Sequence, residues 1–215
     1  MTPKMAEVNV TGKVISPSRM AHVVLRTPRY EAMVAFYTAF LGAHVVVRTP
    51  VIAFLTYDSE HHRIAIAAVP GCGEKVRGSA GLEHIAFGFG GLAELAAAYV
   101  QRRARGMVPV WSTNHGPTTS LYYQDPDGNL LETQVDNFDD PAAATAFMLG
   151  PDYAANPWGV DFDPDHLVRR LRAGEPEAQI KRRPVSGPRA IETVPIFNPP
   201  PPVVRDSYEP IEGAV

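Results

Sequence analysis

The chain has 215 residues, with 20 Lys and Arg against 23 Asp and Glu, for a formal net charge of -3; it is 45% hydrophobic and 20% charged. That make-up belongs to a folded globular chain rather than a disordered one, and its near-even charge balance offers no basic stripe for nucleic acid. A single cysteine, Cys72, excludes a disulfide scaffold and a thiolate zinc site, and no apolar run approaches the roughly 18 residues of a membrane span. The opening Met1-Thr2-Pro3-Lys4 has no signal-peptide character, so a cytoplasmic location is expected. Two features stand out: 21 prolines, and seven histidines beside almost no thiol.

After an N-terminal segment (1–17), Ala21 to Leu25 reads as a buried strand. Tyr30 to Leu41 follows with Met33, Phe36, Tyr37 and Phe40 at helical spacing, closed by Gly42. Three short β-rich runs come next, Val45–Arg48, Ile52–Tyr57 and Arg63–Val69. The pattern then restarts: a strand over Glu83–Phe87, a helix from Leu92 to Arg105 ending at Gly106, and strands over Val108–Ser112, Thr119–Gln124 and Leu130–Val135. Two β-α-β-β-β units aligned at His22 and His84 indicate a duplicated module, about 18–70 and 80–136, within one domain spanning 18–136. Of the 21 prolines, thirteen fall after residue 135, and the run Pro199–Pro202 suits only extended chain. Residues 137–215 thus form a proline-rich extension whose Phe147, Tyr153, Trp158, Phe162 and Leu167 are expected to lie on the domain. One helix is expected in it: Asp163 caps Pro164, Leu167 and Leu171 share a face, and Gly174 ends it.

His22 and His84 occupy the same place in the two modules, each on an apolar strand. Glu132 lies mid-strand in Leu130-Leu131-Glu132-Thr133-Gln134-Val135, where an unpaired buried carboxylate would cost about 2–5 kcal/mol. Three ionisable groups on apolar strands can compensate one another by ligating one divalent cation, and two imidazoles with one carboxylate leave open positions on a non-haem iron. The competing account is that each is a separately satisfied core or edge residue. The residues alone leave both open.

The stretch from His115 to Glu132 is more specific. Asp125-Pro126-Asp127-Gly128 makes a turn between two strands. Across it, Tyr122 and Glu132 can face one cavity. The order His115, five residues, Leu121-Tyr122, two residues, Asp125-Pro126, one residue, Gly128, three residues, Glu132 resembles the signature of the type I extradiol ring-cleavage dioxygenases. The duplicated module resembles the wider vicinal-oxygen-chelate (glyoxalase–bleomycin resistance) superfamily. The resemblance implies an α+β fold in which the tandem βαβββ modules form one cup-shaped mixed sheet around a metal. It implies His22, His84 and Glu132 as ligands of Fe(II), with Mn(II) as the other ion that accepts this set. His115 would contact the oxygen side of the site, and Tyr122 would hold a substrate oxygen. It also implies a histidine acid/base from the first module, where Glu60-His61-His62 stands. Superposing the modules on their third and fourth strands aligns Leu55 with Leu121 and Ile66 with Glu132, which puts His62 on the metal side. A one-residue difference in turn length would substitute His61.

The implied activity is extradiol (meta) cleavage of a catechol by O2 in aromatic-compound degradation. A glyoxalase-like isomerase on the same fold would need a fourth protein ligand, but Arg63 to Val69 carries no carboxylate. A non-catalytic aromatic-binding relative would not be expected to keep the whole residue set. His44, His166 and Cys72 read as surface or loop residues. Trp158 and Phe162 are candidate substrate-facing aromatics. A proline-rich arm that can exchange between subunits makes a homo-oligomer the expected state, with no nucleic-acid or membrane partner.

Overall fold

The computed structural model describes residues 11–210. The ends of the N-terminal segment and of the extension, 1–10 and 211–215, lie outside the described residues. The first module runs β1 (Val23–Thr27), α1 (Tyr30–Leu41), β2 (His44–Arg48), β3 (Ile52–Thr56) and β4 (Ile64–Ala68); the second runs β5 (His84–Gly88), α2 (Leu92–Arg103), β6 (Trp111–Asn114), β7 (Thr118–Gln124) and β8 (Leu130–Asp136). Each helix carries the chain across its sheet, so that β1 lies parallel to β4 and β5 parallel to β8, while the hairpin strands are antiparallel. Hydrogen bonding gives two sheets, one per module, with strand orders β1-β4-β3-β2 and β5-β8-β7-β6.

The α1 helix covers the predicted residues and ends as predicted, with Gly42 left-handed at φ 62°. One face of each sheet meets the helices. Leu25, Leu55, Ile64 and Ile66 from the first, and Ile85, Leu121, Tyr123, Leu131 and Val135 from the second, share a single core with Met33, Phe36, Tyr37, Phe40, Leu92, Leu95 and Tyr99. The modules are also tied by polar contacts. Arg102 of α2 is buried over the Phe40 ring and donates from Nε to the Phe40 carbonyl, and the Tyr37 hydroxyl donates to Asp125 in the turn between β7 and β8.

The register differs from the sequence superposition by one residue. Val24 pairs with Ala65 and Ala65 with Phe54 in the first sheet, where Ala86 pairs with Glu132 and Glu132 with Tyr122 in the second. Ala65, not Ile66, therefore stands in the place of Glu132, and Ile66 is in the core. The strand preceding the turn fixes this: Leu55 pairs with Ile64, whereas Leu121 pairs with Thr133, and a slip of one residue exchanges the two faces.

The extension docks on the second module. It comprises α3 (Pro141–Met148), α4 (Pro151–Ala155), β9 (Val160–Asp161), α5 (Pro164–Arg172), α6 (Glu177–Ile180) and two short 3-10 turns, Ile191–Thr193 and Pro195–Phe197. Strand β9 adds to β6 and makes the second sheet five-stranded. Helix α5 is the one expected: the Asp163 side chain accepts from the Asp165 amide, Pro164 opens the helix, and Gly174 lies beyond its end at φ 77°.

Candidate functional site

The site lies on the face of the second sheet opposite the helices. Alternation along the strands brings His84 and Ala86 of β5, Glu132 of β8, Tyr122 of β7 and Trp111 of β6 to that face. Glu132 is 5% exposed, and its carboxylate lies 3.1 Å from His84 Nε2. The other ring nitrogen of His84, Nδ1, meets Glu83. These two carboxylates raise the His84 imidazole to about 9. Burial pushes the Glu132 carboxyl up, but hydrogen bonds from His84 and Ser120 outweigh it and hold the group below the usual carboxylate range.

His115 Nε2 lies 3.0 Å from the Tyr122 hydroxyl. Burial lowers the His115 pKa, which favours the neutral ring, while burial and the charge of Glu132 raise Tyr122 and keep its phenol protonated. The Tyr122 ring stands edge-on to His84 with centroids 5.4 Å apart and stacks on Trp111 at 4.9 Å. Trp111 is fixed in turn: its indole N–H donates to Asp161 at 2.7 Å, and Arg189 pairs with both oxygens of Asp161. Trp111, Asp161 and Arg189 lie outside the sequence motif. Trp111 adjoins it, pairing directly with Tyr122 across the hairpin; Asp161 and Arg189 arrive only through tertiary docking.

His22 and His62 form a second group. His22 lies one residue before β1 rather than inside the strand. Its ring is 4.4 Å from that of His62, which also stands edge-on to Phe54 at 4.9 Å. Phe54 pairs with Ala65, so His62 faces the site side despite the register difference, because it lies in the bend before β4 and not in the strand. Burial and the neighbouring His22 lower the His62 pKa. His61 turns outward to Glu60. His22 shares a cavity of about 120 Å³ with Tyr57, Arg63, Ile85 and Ala86, and Ala86 is the strand partner of Glu132.

The structure therefore brings His84, Glu132, Tyr122 and His115 together and places His22 with His62 alongside. Among the described residues, no three His, Cys, Asp or Glu side chains stand close enough together to hold a metal. The donor chemistry still fits a divalent cation at His84 and Glu132, an imidazole nitrogen and a buried carboxylate already within hydrogen-bond distance. Of the two aromatics singled out in the extension, Trp158 joins Trp111, Tyr122, Leu130, Val194 and Ile196 on the site face. Phe162 does not: alternation after Asp161 sends it to the helix side, where it packs on the main core. His44 and His166 are exposed, as expected.

Residues 19–133 match the Glyoxalase/Bleomycin resistance protein/Dioxygenase superfamily. The chain belongs to this superfamily. Within it, the chain is 47% identical over 163 residues to Biphenyl-2,3-diol 1,2-dioxygenase 2 of Rhodococcus globerulus, covering 75% of this chain and 86% of that protein. It is 44% identical over 167 residues to Biphenyl-2,3-diol 1,2-dioxygenase 3 of the same organism, covering 77% and 88%. Metapyrocatechase 2 of Cupriavidus necator is 31% identical over 170 residues, covering 74% of this chain and 49% of that protein. The two Rhodococcus overlaps run longer than the superfamily match and take in part of the extension. No helix among the described residues is long and apolar enough to cross a membrane.

Proposed function

We propose that this superfamily member is a cytoplasmic Fe(II)-dependent extradiol dioxygenase that opens the ring of a catechol-type diol with O2. The observation that carries the reading is the pairing of His84 with the buried Glu132, with Tyr122 and His115 on one face, in a chain whose relatives at 44–47% identity are biphenyl-2,3-diol dioxygenases. In the reaction, the carbon–carbon bond beside the diol breaks and both atoms of O2 enter the product, a ring-opened semialdehyde or keto acid.

His84, Glu132 and His22 would hold the metal, His22 turning from its contact with His62. When bound, the ion would supply a Lewis-acidic centre with open positions for the diol and O2. The chain's own side chains account for the rest. A neutral His62 can accept a phenolic proton, since its lowered pKa leaves the ring unprotonated at neutral pH. Tyr122, held protonated, can donate to a catechol oxygen. His115, largely withdrawn from water, can donate from Nε2 to the Tyr122 oxygen and so orient the Tyr122 hydroxyl toward the diol. Ala65, in the place of Glu132, supplies no fourth ligand from the first module, which supports an open site over a glyoxalase-like one.

The test is oxygen uptake. Protein purified anaerobically and loaded with ferrous iron should consume O2 in step with loss of catechol or biphenyl-2,3-diol and yield a yellow product. His84→Ala should lose iron and activity together. Iron-loaded protein that consumes no O2 with either diol would overturn the proposal.

A further inference from the structure

We propose that Arg189 and Asp161 of the extension are positioning residues for the ring-opening reaction: they hold the Trp111 indole, and through it the ring and hydroxyl of Tyr122. The inference rests on the ring-cleavage reading, which gives Tyr122 its contact with the diol. It adds two residues that act through another side chain.

Three rings meet Tyr122, and they do so differently. His84 and His115 stand edge-on to it, at 90° and 84°. Trp111 alone among the described residues lies against its face, at 24° with centroids 4.9 Å apart. The face contact is the one that resists rotation and sideways movement of the ring. A phenolic O–H bond lies by preference in the plane of its ring. The plane that Trp111 sets therefore decides where Tyr122 can donate while its oxygen meets His115 at 3.0 Å.

Trp111 takes its own position from the extension. Its indole N–H donates to Asp161 at 2.7 Å, and the Arg189 guanidinium lies 5.5 Å from the centroid of its ring. The Asp161 side chain is 51% exposed, so water competes for it unless something holds it. Arg189 does so with both terminal nitrogens, one on each carboxylate oxygen. The rest of the fork is anchored: Nε donates to the Thr193 hydroxyl at 3.2 Å, and a terminal nitrogen to the Thr193 carbonyl at 3.1 Å. A two-pronged guanidinium contact fixes the orientation of a carboxylate, which a single bond does not. Thr193 leads directly into Val194 and Ile196, which cover Trp111 and Tyr122. One arginine thus secures both the acceptor of the indole and the lid over it. The link matters because a shift of about 1 Å in a reacting geometry can cost about 100-fold in rate.

The experiment is a double-mutant cycle on catechol in the full chain loaded with ferrous iron. Arg189→Met should lower kcat by about 5- to 20-fold and leave KM within about twofold. Arg189→Lys, which can still hold one Asp161 oxygen, should recover part of the loss. Arg189 and Tyr122 share no direct contact, yet in a Tyr122→Phe background Arg189→Met should cost less than about twofold further. Losses that simply multiply overturn the link and leave the ring-cleavage reading standing. Asp161→Ala, at a half-exposed side chain, runs the same cycle and decides the matter if Arg189→Met fails to melt cooperatively. If wild-type protein opens no diol, the ring-cleavage reading fails and proton NMR of the metal-free protein decides the link. The Tyr122 ring signals, identified by their loss in Tyr122→Phe, feel the ring current of Trp111. In Arg189→Met or Asp161→Ala they should move while those of Tyr37, in the main core, stay in place. Tyr122 signals that do not move overturn the proposal.

Discussion

Tyr122 touches most of what the site contains: the His115 ring through its hydroxyl, Glu132 across the strand pair, Trp111 by stacking and His84 by its edge. Removing its hydroxyl leaves His115 without that partner, so Tyr122→Phe should lower kcat/KM on a catechol by about 10- to 100-fold with little change in melting temperature. Wild-type kinetics in this variant would remove Tyr122 from the mechanism. The motif made this residue legible, as it did His115 and Glu132, because a turn of fixed chemistry sets the spacing between two facing strands. Within that turn, Asp125 is fully buried and accepts from Tyr37, Asn129 and the Asp127 amide. Burial pushes its carboxyl up to about 6 despite these hydrogen bonds, against roughly 3.9 in an unfolded chain. The folded state therefore holds the proton to higher pH. Its contribution is fully favourable below about pH 4 and is lost as pH rises through about 6. Asp125→Asn cannot titrate, so the stability difference between wild type and Asp125→Asn should widen in favour of wild type between pH 7 and pH 5. Thermal melts across that range check this, and a difference independent of pH would sink it.

Helix α5 shows how far local chemistry specifies an element. Its cap, its first-position proline, its buried Leu167 and Val168, and the glycine beyond its end all stand in the sequence, and the helix forms between them. It docks on α2, where the Tyr99 hydroxyl donates to Asp165 at 2.9 Å. Replacing the cap by Asp163→Ala should cost about 1 kcal/mol, a fall in melting temperature of about 2–4 °C for a chain this size. The kinetics should not change, because the helix lies on the far side of the sheet from Glu132. A lowered kcat with unchanged melting temperature would contradict that placement. Strand β9 is the opposite case. Two residues carry no periodicity, and the strand exists because Gly159, at φ 96°, lets the chain run against β6; a Cβ there would meet the Asn114 carbonyl oxygen at 2.5 Å. The misplaced Ile66 has a related cause. Side-chain alternation reveals that a strand has two faces, but the register that decides which face is which depends on the turn at 58–63, where no residue forces one length.

At the scale of the molecule, the extension is structural as well as a wall of the site. Leu167, Val168 and Ile180 join the main core, while Val194 and Ile196 close the cluster over Trp111, Tyr122 and Leu130. Burying an aliphatic side chain of this size contributes about 1.5–3 kcal/mol, so these five together contribute on the order of 10 kcal/mol, comparable with the entire stability of a typical domain. The composition separated this segment from the rest as proline-rich, but proline content reports only what the backbone cannot do; the docking comes from scattered apolar residues that have no common period. A chain ending at residue 150 should therefore fail to fold rather than fold with an open site. It would retain Trp111 alone, and that indole would lose both its Asp161 acceptor and its cover. The expected result is red-shifted tryptophan emission, no cooperative melt and binding of a hydrophobic dye. Light scattering on the full chain then separates this role from arm exchange between subunits. A dimeric full chain whose truncated form melts cooperatively as a monomer would show that the extension works between subunits, whereas loss of the melt itself places its contribution within each one.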